Sequence, residues 1–121
     1  MRFGPIDHVW VWTRDMDAAV SFYGDVLGLP LVQRFGNEWS EFDAGAIRIG
    51  LHGAGDARDV PHAGTIVFRV DDLDPARLSL ERRGVVVDPH LGEVLGVGRY
   101  VSFTDPDGNS LQLFEYMEGS G

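Results

Sequence analysis

The chain has 121 residues, 44% of them hydrophobic, which is enough to bury the core of one compact domain; a single domain over residues 1–121 is expected. A formal net charge of -9 repels a phosphate backbone and no basic stripe offsets it, so the expectation is no nucleic acid partner. No cysteine is present, which excludes disulfides, thiolate metal sites and a cysteine nucleophile.

The opening MRFGPIDH lacks the basic and then apolar pattern of a leader. No apolar run approaches the roughly 20 residues a membrane span needs, so a cytoplasmic protein without membrane contact is expected. The first element is IDHVWVWT, residues 6–13, in which His8, Trp10 and Trp12 alternate with Val9 and Val11. As a strand it carries a histidine and two indoles on one face and aliphatics on the other, and two adjacent exposed indoles make an expensive surface. Both faces therefore need cover or a lining role.

Asp15 is the expected N-cap of a first helix whose stripe is Met16, Ala19, Val20, Tyr23, Val26 and Leu27, ended by Gly28. Strands are expected at 31–35, 38–44 and 46–52, broken by Gly36-Asn37 and Gly45. Residues 53–63, rich in glycine, alanine and aspartate, form a loop. A strand over 65–70 follows, and then a helix with Asp72 as cap, Pro75 in its first turn and Leu73, Ala76 and Leu80 as its stripe, ended by Gly84. Strands at 85–90, 99–104 and 110–116 complete the chain, with DPDGN (105–109) turning between the last two.

A shift of 57 positions lays HVWVWTRDMDAA on TIVFRVDDLDPA, matching Asp15 to Asp72 and Asp17 to Asp74. The plan is therefore a duplicated βαβββ module, about 5–52 and 64–117. With HVWVW, FYGDVLGLPL and GRYVSFTDPDGNSLQLFE in that frame, the chain resembles the glyoxalase/bleomycin-resistance/dioxygenase family, the vicinal oxygen chelate superfamily. The resemblance implies an α+β fold in which two βαβββ modules form an eight-stranded cup with helices outside, often as a homodimer. It fixes chemistry less well, since that family includes metal-dependent isomerases, lyases and dioxygenases beside metal-free antibiotic-sequestering proteins.

Carried along the strands, the alternation of such a fold points His8, Trp10, Trp12, Arg48, Gly50, His52, Thr65, Val67, Arg69, Tyr100, Ser102, Thr104, Ser110, Gln112, Phe114 and Tyr116 into the cup. Of these, Trp10, Trp12, Arg48, His52, Thr65, Arg69, Tyr100, Gln112 and Phe114 are the expected ligand-binding residues. Trp39, on another strand, is expected to respond less to a ligand. The positions that hold a metal in the family correspond here to His8, Gly50, Thr65 and Gln112, of which only His8 is a strong donor. No cofactor or metal is therefore expected, the weak alternative being a site from His8, His52 and Gln112.

Each residue also has a plainer reading: His8 as a hydrogen-bonded core histidine, the indoles as a barrel plug, the arginines as rim partners of carboxylates. His62 and His90 fall in expected loops. The glycines of HLGEVLGVG and GAGDA lack the strand and helix of a phosphate loop, and neither a nucleophile elbow nor HExxH occurs. Three readings remain: metal-independent binding of a flat aromatic or conjugated small molecule, with sequestration of an antibiotic as the resemblance's example; a metal-independent natural-product tailoring enzyme with His8 as acid or base; and a metal-dependent lyase, isomerase or dioxygenase with a degenerate site.

Overall fold

The computed structural model describes residues 1–2, 4–56, 62 and 64–118. The chain divides into two compact units, Met1–His62 and Ala63–Gly121, each holding one βαβββ module built around a four-stranded sheet. Part of the expected 53–63 loop, residues 57–61 and 63, lies outside the described residues.

In the first unit, β1 (His8–Thr13) leads to α1 (Met16–Ser21), followed by β2 (Leu31–Phe35), β3 (Trp39–Asp43) and β4 (Arg48–Gly53). The sheet order is β1-β4-β3-β2, with β1 parallel to β4 and the other pairs antiparallel. Asp15 caps α1 as its sequence position suggests, its Oδ1 accepting from the Ala18 N–H at 3.1 Å, and Thr13 braces the Asp15 backbone. The helix is shorter than its stripe implies. From Phe22 to Val26 it widens to a π turn, in which the Leu27 N–H reaches back to the Phe22 carbonyl at 2.9 Å. Phe22 and the fully buried Tyr23 both enter the core here, where Tyr23 packs on Phe42 with centroids 5.9 Å apart. Gly28, at φ 75°, then ends the segment in the conformation that glycine adopts without cost. Met16, Ala19, Phe42, Ile49 and Leu51 complete this core, all on the helix side of the sheet.

In the second unit the order is β5 (Thr65–Arg69), α2 (Leu73–Arg82), β6 (Gly92–Val94), β7 (Gly98–Thr104) and β8 (Ser110–Tyr116), with sheet order β5-β8-β7-β6. Leu73, Leu80, Val101, Phe103, Leu111 and Leu113 are buried together. The end of α2 is a Schellman arrangement: Gly84 (φ 84°) donates to Glu81 and Val85 to Leu80, each at 3.0 Å. DPDGN is the expected turn. Asp105 Oδ1 accepts from the backbone of Asp107 and Asn109, and Oδ2 accepts from the Asn109 side chain.

Two expectations need correction. The sixth strand lies at Gly92–Val94, not at 85–90. Val87 is buried, but the Asp88 carboxylate folds back onto the His90 N–H and Pro89 has no N–H to offer, so only the Asp88 N–H bonds to β7, at Ser102. Asp72 stands at the N-cap of α2 but its side chain makes no capping hydrogen bond. The cap comes from β8 instead: Glu115 Oε2 accepts from the Leu73 N–H at 2.7 Å, while Oε1 accepts from Arg99 Nε at 2.9 Å. Arg99 in turn lies 3.5 Å from Asp74. No helix among the described residues is long and apolar enough to cross a membrane.

Arg99 first, and the Leu73 N–H second, hold the Glu115 carboxyl below its usual value of 4.5. A carboxyl depressed in the folded state contributes stability that is fully present above that value and is lost as the pH falls through the lower, folded one. Glu115→Gln should therefore lower the melting temperature near neutral pH, with the gap from wild type narrowing at acid pH as the carboxyl protonates; Asp72→Ala should lower it much less. Thermal melts of the three proteins at both pH values check this. A deficit for Glu115→Gln that does not depend on pH would refute the charge-assisted cap.

Candidate functional site

The side of the first sheet away from α1 is the face expected to carry chemistry. Strand register arranges it in three rows. The first holds His8, Arg48 and Asp43; the second Trp10, Gly50, Glu41 and Gln33; the third Trp12, His52, Trp39 and Phe35. The three tryptophans of the chain thus share one face, two from β1 and one from β3. His52 sits among them, its ring centroid 4.6 Å from Trp12, 5.3 Å from Trp10 and 5.9 Å from Trp39. Trp10 and Trp12 meet edge to face at 4.9 Å, and Trp39 meets His8 the same way at 5.8 Å. Trp10 remains 45% exposed. That exposure argues against the plug reading for this residue, because a plug surrenders its surface to neighbours.

Trp39 therefore belongs to the cluster from which its strand position alone had set it apart. Its indole lies over Gly50, where a Cβ would come within 2.6 Å of Trp39 Cζ2 and 3.2 Å of Trp10 Cβ. Glu41 holds that indole in place, its Oε1 accepting from Trp39 Nε1 at 2.8 Å, and its Oε2 accepts from Arg48 Nη1 at 2.9 Å. The Trp39 N–H is the main reason the Glu41 carboxyl sits below its usual range; burial opposes this, and Arg48 and Gln33 add to it. Glu41 escaped the sequence reading because a glutamate in a strand looks like a solvated position. The signal was the alternation of WSEFD, which puts Trp39 and Glu41 on one face and Ser40 and Phe42 on the other.

His8 sits at the edge of the face with Asp7 Oδ2 2.8 Å from its Nδ1, so that Nε2 points away from the carboxylate. His52 has Nδ1 3.0 Å from the Gly53 carbonyl, which only accepts; Nδ1 is therefore the donor and Nε2 is left to the face. His8 is registered with Arg48 and His52 with Trp12, so the two histidine backbones stand four residues apart along adjacent parallel strands, about 13 Å by strand rise. Nitrogens bound to one divalent ion each lie roughly 2 Å from it. Both imidazoles pack against the Trp39 ring, and this arrangement weighs against the weak His8, His52, Gln112 alternative. Gly50 offers no donor and its space is filled by an indole. Among the described residues no group of three or more histidine, aspartate or glutamate side chains is placed to hold a metal ion.

The second unit repeats the plan with other chemistry. The face of its sheet away from α2 carries Thr65, Val67 and Arg69 from β5, Tyr100 and Ser102 from β7, and Gln112, Phe114 and Tyr116 from β8. Val67, Arg69, Val94, Tyr100, Gln112, Phe114 and Tyr116 line a hollow of about 520 Å³. The Arg69 guanidinium lies 4.7 Å from the Tyr116 ring centre, and Tyr100 stacks parallel to Phe114 at 6.3 Å. At the two family ligand positions, Thr65 donates its hydroxyl to Ser110 at 3.0 Å and Gln112 donates its amide to Ser102 at 3.2 Å. Both are neutral oxygen donors, and both already take part in hydrogen bonds within the sheet. His90 lies in a loop, exposed, as expected.

The chain is 24% identical, over 99% of its length and 96% of the other's, to a probable lactoylglutathione lyase of Vibrio parahaemolyticus. Among solved structures it resembles the lactoylglutathione lyase of Agrobacterium tumefaciens at 25% identity and a TM-score of 0.80, covering 95% of this chain and 96% of that one. It resembles TnmS3, an antibiotic binding protein from Streptomyces, at 25% identity and a TM-score of 0.79, covering 97% and 99%. The family model of the Glyoxalase/Bleomycin resistance protein/Dioxygenase superfamily matches residues 5–113, and with two βαβββ modules in that span the chain belongs to this family.

Proposed function

We propose that this protein binds a flat, aromatic or conjugated small molecule without a metal, and that the indole face of the first unit carries the recognition. The supporting observation is the joint placement of Trp10, Trp12, Trp39 and His52 on one face, with Trp10 half exposed and an indole standing where the family places a metal ligand. Stacking on indoles supplies area at low entropic cost, and Arg48 with the imidazole Nε2 atoms supplies polar contacts. On the second unit, Thr65, Arg69, Tyr100, Gln112 and Phe114 are the corresponding candidates. That TnmS3 is an antibiotic binding protein fits sequestration as the biological use.

A second reading is catalysis. Two relatives are named as lactoylglutathione lyases, one of them only as probable, but the family's metal positions here do not fit a divalent ion. A metal-free reaction would rest on His8, whose Asp7 partner orients the ring as a carboxylate orients a general base. Turnover of the bound molecule separates an enzyme from a sequestering protein. The reading also includes a homodimer, because β1, β2, β5 and β6 are edge strands of their sheets. Light scattering at roughly tens of micromolar should give twice the chain mass.

Truncating Trp10 should uncouple binding from folding. Since its ring is half exposed, Trp10→Ala leaves little sealed void: it should weaken a conjugated ligand by about 1–3 kcal/mol and cost less stability than Leu51→Ala, for which about 2–5 kcal/mol is expected. Denaturant midpoints beside a tryptophan-fluorescence screen of aromatic natural products measure both. Large destabilisation with a silent screen would return the indoles to a purely structural role.

Purified protein should carry well under one equivalent of zinc, nickel, iron or manganese, and chelator should leave its melting temperature unchanged. Elemental analysis decides this. A stoichiometric metal lost on His8→Ala would promote the lyase reading above binding.

A further inference from the structure

We propose that Gly50 is a specificity-determining residue: its missing side chain seats the Trp39 indole, Glu41 locks that indole in place, and a metal-ligand position is thereby turned into part of an aromatic platform. The inference rests on the binding reading above and assigns it a mechanism. Three observations carry it. A Cβ at position 50 would lie 2.6 Å from Trp39 Cζ2, closer than real side chains approach, so any side chain here, including a metal-ligating one, evicts the indole. The indole does not merely rest in the notch, since Glu41 Oε1 takes its N–H at 2.8 Å while Glu41 Oε2 is held by Arg48 at 2.9 Å. A charge-assisted bond of that kind fixes the ring's rotation as well as its position. Finally, Trp39 is only half buried, and its ring edge meets both His8 and His52, so the seated indole joins the imidazoles to the Trp10 and Trp12 pair.

Metal ligation at position 50 and aromatic recognition are therefore mutually exclusive uses of one volume. Glu41 is a positioning residue acting through Trp39. It follows that Gly50→Ala, which adds one methyl group and no donor, should impair recognition as much as removing the indole does.

Two readouts test this on the full chain. The first needs no ligand. In a proton–nitrogen correlation spectrum the Trp39 indole N–H, assigned by its loss in Trp39→Phe, should be shifted downfield by its carboxylate partner; it should move upfield in both Glu41→Gln and Gly50→Ala, while the Trp12 signal stays in place. The second is binding of hydroxymethylanthracene as a neutral conjugated probe. Gly50→Ala and Trp39→Leu should each weaken it about tenfold or more, and adding Gly50→Ala to Trp39→Leu should cost little further, because the indole to be evicted is gone and only the approach to Trp10 Cβ remains. Glu41→Gln should weaken it by a smaller factor, and Glu41→Asp, too short to reach Trp39 Nε1, should not restore it.

An unmoved indole resonance in Gly50→Ala overturns the seating. Full probe affinity in a folded Gly50→Ala, or additive losses in the double variant, overturn the specificity role. If the resonance moves as described but wild type binds neither this probe nor any aromatic in the screen, the seating stands, while the specificity role and the aromatic-binding reading both fall.

Discussion

Each four-stranded sheet has one helix to cover it, and one helix covers one face. Everything else follows from that shortage of cover combined with the two-residue period of a strand. In β1, β3 and β4 the positions turned to α1 include Val9, Val11, Thr13, Ser40, Phe42, Ile49 and Leu51, and five of these seven are buried. The intervening positions are the tryptophans, the histidines, Arg48 and Glu41, which pack on one another. A one-residue slip of β1 would put two indoles and a histidine under the helix and two valines on the open face, so the register that buries the core also assembles the site. Fold stability and site geometry are thus read from the same alternation.

That coupling explains which parts were legible in the sequence. The alternation of HVWVWT, the repeat at 57 residues, the helix caps at Asp15, Gly28 and Gly84 and the DPDGN turn all encode local rules, and they gave the module order and the facing of most strands. Three features depend on distant partners and escaped. The β-branched run that opens 85–90 points to a strand there, but the Asp88-Pro89 turn interrupts it, and the glycine-started segment Gly92–Val94, of weaker propensity, pairs with β7 instead. The α2 cap comes from a strand more than forty residues away, because Glu115 reaches the Leu73 N–H while the Asp72 side chain makes no capping bond. The inclusion of Trp39 required knowing that β3 lies beside β4 with Glu41 opposite Gly50.

The helix-facing side of the second sheet shows why such distant partners are hard to foresee. Glu115 is the one position of β8 in the 111–115 run that is both turned to the helix and charged, and it meets two demands at once: a free N–H at the start of α2 and the guanidinium of Arg99. Arg99 also approaches Asp74 in the first turn of α2. Two carboxylates and an arginine there link the start of α2 to β7 and β8, beside the buried apolar contacts of Leu73 and Leu80. Neither a hydrophobic stripe nor a capping motif encodes this.

The two modules also show that pairing a glycine with an aromatic is a matter of volume across adjacent strands rather than of fixed residues. In the first unit the glycine is on β4 and the indole on β3. In the second, the equivalent strand pair exchanges the roles: Gly98 on β7 lies under Phe114 on β8, with a Cβ at 98 only 2.7 Å from the ring. Gly92 on β6 then seats Tyr100, whose ring a Cβ there would overlap. An unpaired aromatic on an open sheet face loses packing on one side, and a neighbouring glycine leaves the sheet without a side chain at that point; bringing the two together repairs both deficits. What distinguishes the first unit is the carboxylate. Tyr100 and Phe114 stack on each other, whereas Trp39 is also held by its N–H. A ring fixed in two ways keeps one orientation on the sheet face, which is what the recognition role proposed for the indole face asks of it.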